Sequence, residues 1–451
     1  MTPAQLRALD RELSAYLQSM VAGMGRVERR HAMELYLTGL LLDGDRKSTQ
    51  PMAIRLAKEP GDAEALRQRL QQCVSIAPWS EDDMYRRLAL KLEKELPEAE
   101  AMIVDDTGFP KKGEHSVGVA RQYSGTLGRV DNCQVAVSLH LAGERGSGCI
   151  AMRLYLSEEE WASDARRRKD AGVPKEVRFL TKWEISLLQI RAALASGVRK
   201  HVVLADAGYG DVGAYRSGLT EQGLEYVVAV NGTPVLWPPD SKPSIPLRKP
   251  GSGGHSPTRY RDELHPPETV ASLAPKLHYR NVVWREGSRG RQSSRFAAVR
   301  VRTAHRHLQS HPPGQEQWLL CEWPRGEPAP TKHWLSTTPA ETSLRELVRL
   351  AKLRWRVERD YQEMKQEVGL DHFEGRTWRG FHHHAALCSV AHAFLALRRA
   401  LSPPIQTSVD APAGPTPSPT LPAQTDRDLS TLPRGHRPSG PTTRTFADVI
   451  R

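Results

Sequence analysis

An apolar run that ends abruptly on two aspartates, Ala101-Met102-Ile103-Val104-Asp105-Asp106, constrains this chain more than any other feature. A short run of this kind reads as a buried strand that delivers acids to the rim of a sheet. The device recurs in His201-Val202-Val203-Leu204-Ala205-Asp206. Between the two, Cys133, Val135, Val137, Leu139 and Leu141 alternate with period two, and Ile150 to Leu156 offers another strand. Helical patterns follow near Trp183–Leu194 and over 211–222, and Tyr226–Val230 reads as a further strand. Strands interleaved with helices in this order predict an α/β layer fold with a mixed sheet over 99–230.

The flanking segments differ in rhythm. Residues 1–98 carry helical spacing, as in Leu6, Leu9, Leu13, Tyr16 and Leu17, and predict a helical domain. The stretch from Glu28 to Ala57, broken at Asp43-Gly44-Asp45, is compatible with a helix–turn–helix. Arg46, Lys47 and Ser48 would then stand at the start of its second helix, a position suited to DNA phosphates. Residues 231–337 are rich in Pro, Gly and Arg, with short strand-like runs at Asn281–Trp284, Phe296–Val301 and Gln317–Cys321; they predict a β-rich insertion. The segment 338–401 carries a long helix from about Thr342 to Gly369, with Gly369 as its stop, and a second helical stretch around His383–Ala400. Residues 402–451 are proline-rich, lack a core-forming pattern and predict a disordered tail.

Charge narrows the partner. The formal net charge is +12, from 64 Lys and Arg against 52 Asp and Glu. Such a surplus favours a polyanion such as double-stranded DNA. The five cysteines are scattered, with no CxxC pair, which argues against a disulfide framework or a thiolate zinc site. His382-His383-His384 and Cys388 have no matching ligand pair upstream. No uncharged run approaches the roughly 20 residues needed to span a bilayer, and a cytoplasmic protein with no membrane partner is expected.

Three acids stand out as candidate catalytic groups: Asp106 and Asp206 at strand ends, and Glu358 on the long helix. Carboxylates converging on one cavity require a cation, and a hard ion with oxygen ligands suits them. Arg354, Glu358 and Lys365 are spaced by four and seven, so they share one helix face. Glu363 and Glu367 point about 140° and about 180° away from Glu358. Asp105 competes with Asp106, because neighbours on a strand face opposite ways.

The words around these acids carry a resemblance. Val104-Asp105-Asp106-Thr107-Gly108-Phe109-Pro110-Lys111-Lys112-Gly113, then Leu204-Ala205-Asp206-Ala207-Gly208-Tyr209-Gly210, then Arg354 to Arg376 occur in this order. The set resembles the bacterial insertion-sequence DDE transposases with a Tyr–Arg–Glu–Lys helix signature, in particular the insertion-sequence-701-like group. The resemblance implies an RNase H-like (retroviral-integrase-like) core with an insertion between the second Asp and the Glu. It implies a triad of Asp106, Asp206 and Glu358 that binds Mg²⁺, with Mn²⁺ able to substitute. It also implies cleavage at inverted-repeat ends, strand transfer into target DNA, and a homodimer in the active complex. Arg354 and Lys365 would contact DNA, and Trp334 precedes the signature helix much as the family's base-stacking tryptophan does, at a shorter spacing to Arg354. One departure is plain: Ala351 occupies the signature tyrosine position.

Overall fold

The computed structural model describes residues 2–247, 255, 257–287, 290–304 and 313–401. The expected disordered tail over 402–451 lies outside the described residues.

The N-terminal segment is helical as its periodicity predicts: α1 (Pro3–Val21), α2 (Val27–Leu41), α3 (Thr49–Leu56), α4 (Ala63–Ser75) and α5 (Glu81–Glu95). The sheet begins with β1 (Ala99–Pro110), β2 (Ala120–Ser124), β3 (Arg129–Gly143) and β4 (Ser147–Leu154). Helices α6 (Ala165–Asp170) and α7 (Lys182–Ala195) precede β5 (Val202–Ala205). Next come α8 (Ala207–Gly210), α9 (Gly213–Glu221) and β6 (Tyr226–Val230). The insertion holds β7 (Val235–Trp237), β8 (Glu268–Thr269), α10 (Val270–Leu273), β9 (Arg280–Gly287), β10 (Gly290–Thr303), β11 (Gln317–Trp323) and β12 (Lys332–Ser336). Three helices finish the described chain: α11 (Leu344–Leu353), α12 (Trp355–Gln366) and α13 (Trp378–Leu401).

The twelve strands of the described residues belong to one sheet, whose main path runs β2-β3-β1-β5-β6-β12-β11-β10-β7-β8. Strands β1, β5 and β6 are mutually parallel, while β3 lies antiparallel to β1 and β4 antiparallel to β3. The insertion is β-rich as expected, and it is continuous with the core sheet: β12 pairs antiparallel with β6 over His333↔Val230 to Ser336↔Val227.

The helical N-terminus shares its core with the C-terminal helix. Helix α13 is buried along almost its whole length and packs against α2, α4, α5 and β4. A helix apolar all round belongs in an interior. Its polar groups are satisfied there: the Tyr16 hydroxyl donates to the Val390 carbonyl at 2.7 Å, and His383 lies 2.9 Å from the Val74 carbonyl. Burial lowers the pKa of His382, His383 and His384, so these side chains are neutral interior groups. Lys47 is also buried. Its ammonium donates to the Leu42 carbonyl and its backbone N–H to His372 Nδ1, so the loop expected to grip phosphates is anchored inward at this residue.

Two glycines are needed for shape. Gly369 adopts φ +70° and stops the helical stretch where the sequence predicts. Gly210 lies so close to β6 that a Cβ there would meet the Ala229 carbonyl oxygen at 1.8 Å. Gly210→Ala is therefore expected to destabilise the fold by about 1–3 kcal/mol, the usual range for overpacking. It should also impair any chemistry at Asp206, which caps the same short helix. A urea midpoint equal to that of the unsubstituted protein would contradict this. Among the described residues no helix is long and apolar enough to cross a membrane.

Candidate active site

Register decides which acids meet. Strands β1 and β5 pair in parallel through Met102↔Val203 and Ile103↔Leu204. Two residues further along, the same register sets Asp105 beside Asp206, and laterally paired residues project to the same side of a sheet. Asp206 caps the N-terminus of α8, its Oδ1 accepting the Gly208 N–H at 3.0 Å. Glu358 reaches the same place from α12.

Arg354 joins the three. Its Nη2 lies 2.8 Å from Asp105 Oδ2 and 3.7 Å from Asp206 Oδ2, and its Nη1 lies 3.3 Å from Glu358 Oε1. The continuous helix expected over 342–369 is divided here: Arg354 stands at the joint of α11 and α12, and Val357 bonds back to its carbonyl at i+3. The spacing of four that places Arg354 and Glu358 on one face is thus retained across the joint.

Asp106 points elsewhere. Its Oδ2 accepts from Lys182 Nζ at 2.7 Å, at the start of α7. Asp105, and not the sequence candidate Asp106, is the aspartate that shares a guanidinium with Asp206 and Glu358 in this structure. The physical reason is the two-residue period of a strand, which sends adjacent side chains to opposite faces.

The electrostatics agree with the geometry. Asp105 is 8% exposed, and burial pushes its pKa up to about 6; Arg354 opposes the rise, and the charges of Asp206 and Asp106 add to it. Arg354 itself is held above its ordinary range, because Asp105, Asp206 and Glu358 outweigh the effect of burial. Glu358 remains open to solvent, its side chain 67% exposed. The three carboxylates are oxygen donors of the kind a hard divalent cation takes, and their partly desolvated negative charge calls for a counter-cation. Among the described residues no three His, Cys, Asp or Glu side chains stand close enough to hold a metal ion jointly. Arg354 is the positive group that bridges the carboxylates.

Other sequence candidates fall in different surroundings. Lys365 donates to the Gly108 carbonyl at 2.9 Å and to Thr126 Oγ1 at 3.1 Å, tying α12 to the end of β1. Trp334 is buried on β12, between β6 and β11, with Lys352 Nζ 5.6 Å from its ring centre. In this structure the Trp334 ring is packed in the core and not presented to solvent. Glu363, a rival of Glu358, is an interior residue accepting from Arg359, His392 at 3.0 Å and Arg399. Sequence reasoning missed Lys182 altogether; lying in a helix start far from Asp106 in sequence, it carried no local signal.

The residues that match a known family lie in this frame. Residues 19–291 match the family model described as DDE superfamily endonuclease, and the chain belongs to that family. The matched span includes Asp105, Asp106 and Asp206 and ends before Glu358. Among curated proteins, the probable transposase for insertion sequence element IS701 of Microchaete diplosiphon is 34% identical over 166 residues. That alignment covers 36% of this chain and 40% of the relative, so less than half of the relative's length is matched. A cryo-EM structure of a piggyBac transposase synaptic complex with hairpin DNA aligns over 85% of this chain and 74% of its own. The identity there is 10% and the TM-score 0.35.

Proposed function

We propose that this chain is an insertion-sequence transposase that cleaves DNA at the ends of its element and transfers the freed strands to target DNA. The observation that carries the reading is the convergence of Asp105, Asp206 and Glu358 on the single guanidinium of Arg354. The sheet supports an RNase H-like assignment: the order β4-β3-β1-β5-β6 combines an antiparallel β4-β3-β1 group with parallel β1, β5 and β6. Membership of the endonuclease family and the partial likeness to a probable transposase support the same class of chemistry.

Asp105, Asp206 and Glu358 would hold Mg²⁺, or Mn²⁺ in its place, once they close on the position between them that Arg354 fills in this structure. Bound there, the ion would supply charge stabilisation and an activated nucleophile for phosphoryl transfer. Arg354 compensates the carboxylate charge and keeps Asp105 ionisable within a buried strand. Lys182 neutralises Asp106 and orients the first turn of α7 beside β1. Lys365 fixes α12 against β1, which holds Glu358 in place relative to Asp105. The active complex is a homodimer on double-stranded DNA, since two element ends are joined in concert, and it acts in the cytoplasm.

The test is a strand-transfer assay: purified protein, labelled DNA bearing the element's own ends, a target plasmid and Mg²⁺. Joined product supports the proposal; hydrolysis with no joined product would reduce the protein to a nuclease. Binding itself should weaken steeply with salt, with a log–log slope of about −0.9 for each phosphate neutralised. A flat plot would contradict a phosphate-contacting role.

A further inference from the structure

A cavity of about 880 Å³ opens between the insertion strand β9 and the helices α11 and α12. Seven Arg and Lys side chains line it against one acid, Glu144. Two of the cations are engaged elsewhere: Arg349 with Glu100 and Glu346, and Lys352 with Glu322 at 2.6 Å. Arg285 and Arg345 are exposed on its rim.

Trp355 organises the wall nearest the carboxylates. The Arg285 guanidinium lies 4.0 Å from its ring centre and that of Arg356 lies 4.5 Å away. Thus one indole carries a cation from the insertion and another from the helix that bears Glu358. A guanidinium laid on an aromatic face keeps its in-plane N–H donors free for a planar or tetrahedral oxyanion. Arg356 Nε is buried and has no hydrogen-bond partner among the described residues. Burial lowers its pKa, with Arg285 adding to the effect and Asp360 and Glu144 opposing it. Like charges gathered in a half-buried groove are relieved by an anion. Trp355 and Arg356 directly follow Arg354 in the chain, and Arg356 projects from α12 about 160° away from Glu358, so the groove and the carboxylates lie on different sides of one helix.

We propose that this groove receives the phosphate backbone of duplex DNA, with Arg285, Arg345 and Arg356 as phosphate contacts and Trp355 as the residue that positions two of them. The assignment rests on the DNA-processing reading above and specifies which surface serves it. Nothing in it calls for base stacking on Trp355, whose ring the guanidinium groups already use.

The probe is a fluorescein-labelled, mixed-sequence 30-base-pair duplex, titrated by anisotropy at several salt concentrations with the full chain. Arg285→Ala/Arg345→Ala should make the log–log salt slope shallower by about 1.8, two phosphates' worth. Trp355→Ala removes no charge, yet it should weaken binding, and Trp355→Phe should restore most of the loss. Arg345→Glu, on an exposed helix position, gives a variant whose fold is not at stake and should weaken binding further. As a control of equal charge, Arg166→Ala/Lys169→Ala on α6 should change the slope less. An unchanged slope in Arg285→Ala/Arg345→Ala, or an equal change in the α6 control, would overturn the groove assignment. If the unsubstituted protein binds and cleaves while the groove variants bind like it, only the groove is lost. If the unsubstituted protein does not bind the duplex, both the groove and the DNA-processing reading fall.

Discussion

Asp105→Asn is expected to abolish strand cleavage, by a factor on the order of 10³ or more, the scale on which removing one member of a cooperating catalytic set is felt. Asn keeps the shape of the side chain and the hydrogen bond from Arg354, so the fold should survive. What disappears is the charge that Asp105 shares with Asp206 and Glu358 around one guanidinium. Asp106→Asn should lose about tenfold or less, because its carboxylate faces Lys182 and an amide oxygen can still accept from that ammonium. Gel assays of labelled end DNA would separate the two. Full cleavage by Asp105→Asn together with none by Asp106→Asn would return the role to Asp106.

Glu358→Gln and Glu363→Gln are expected to fail in opposite ways although they lie on one helix. Glu358 is solvent-open and among the described residues its one ion pair is with Arg354, so its replacement should change stability by about 0.5 kcal/mol or less while cleavage is lost. Glu363 is buried and accepts from Arg359, Arg399 and His392. Taking its charge away weakens the hydrogen bonds to two half-exposed guanidinium groups and to buried His392, and should cost about 1–3 kcal/mol. The pH dependence follows from the same contacts. Burial would raise the Glu363 pKa, but His392, Arg399 and Arg359 hold it well below the usual carboxylate range. Its contribution is therefore present above the unfolded pKa of about 4.3 and lost progressively as pH falls through the folded value. Glu363→Gln should flatten that acid limb of the stability curve. A variant that melts like the unsubstituted protein at every pH yet fails to cleave would reverse the roles of the two glutamates.

Much of this architecture was legible because local periodicity reports local structure. The strand ending at Asp206, the stop at Gly369 and the shared face of Arg354 and Glu358 all follow from spacing within a few residues. What escaped depends on pairing between distant segments. Alternation shows that Asp105 and Asp106 face opposite ways; only the register of β1 against β5 says which one meets Asp206. Trp334 looked available because it precedes the signature helix, yet β12 lies inside the sheet and buries it. The three consecutive histidines are polar in sequence and interior in the fold, since α13 packs against α2, α4 and α5, and Lys47 is interior because it bonds to Leu42 and His372. Lys365 shares the Glu358 face as its spacing predicts, and its ammonium is taken by the Gly108 carbonyl.

Asp105, Asp206 and Glu358 are proposed to close on one divalent cation in the place that Arg354 fills here. Mn²⁺ binding, followed by electron paramagnetic resonance with the full chain and its single variants, tests this without reference to cleavage. The predicted result is weakened Mn²⁺ binding in Asp105→Asn, Asp206→Asn and Glu358→Gln, with Asp106→Asn and Glu363→Gln close to the unsubstituted protein at neutral pH. Mn²⁺ binding that is indifferent to all three substitutions, or lost in Asp106→Asn and retained in Asp105→Asn, would contradict it.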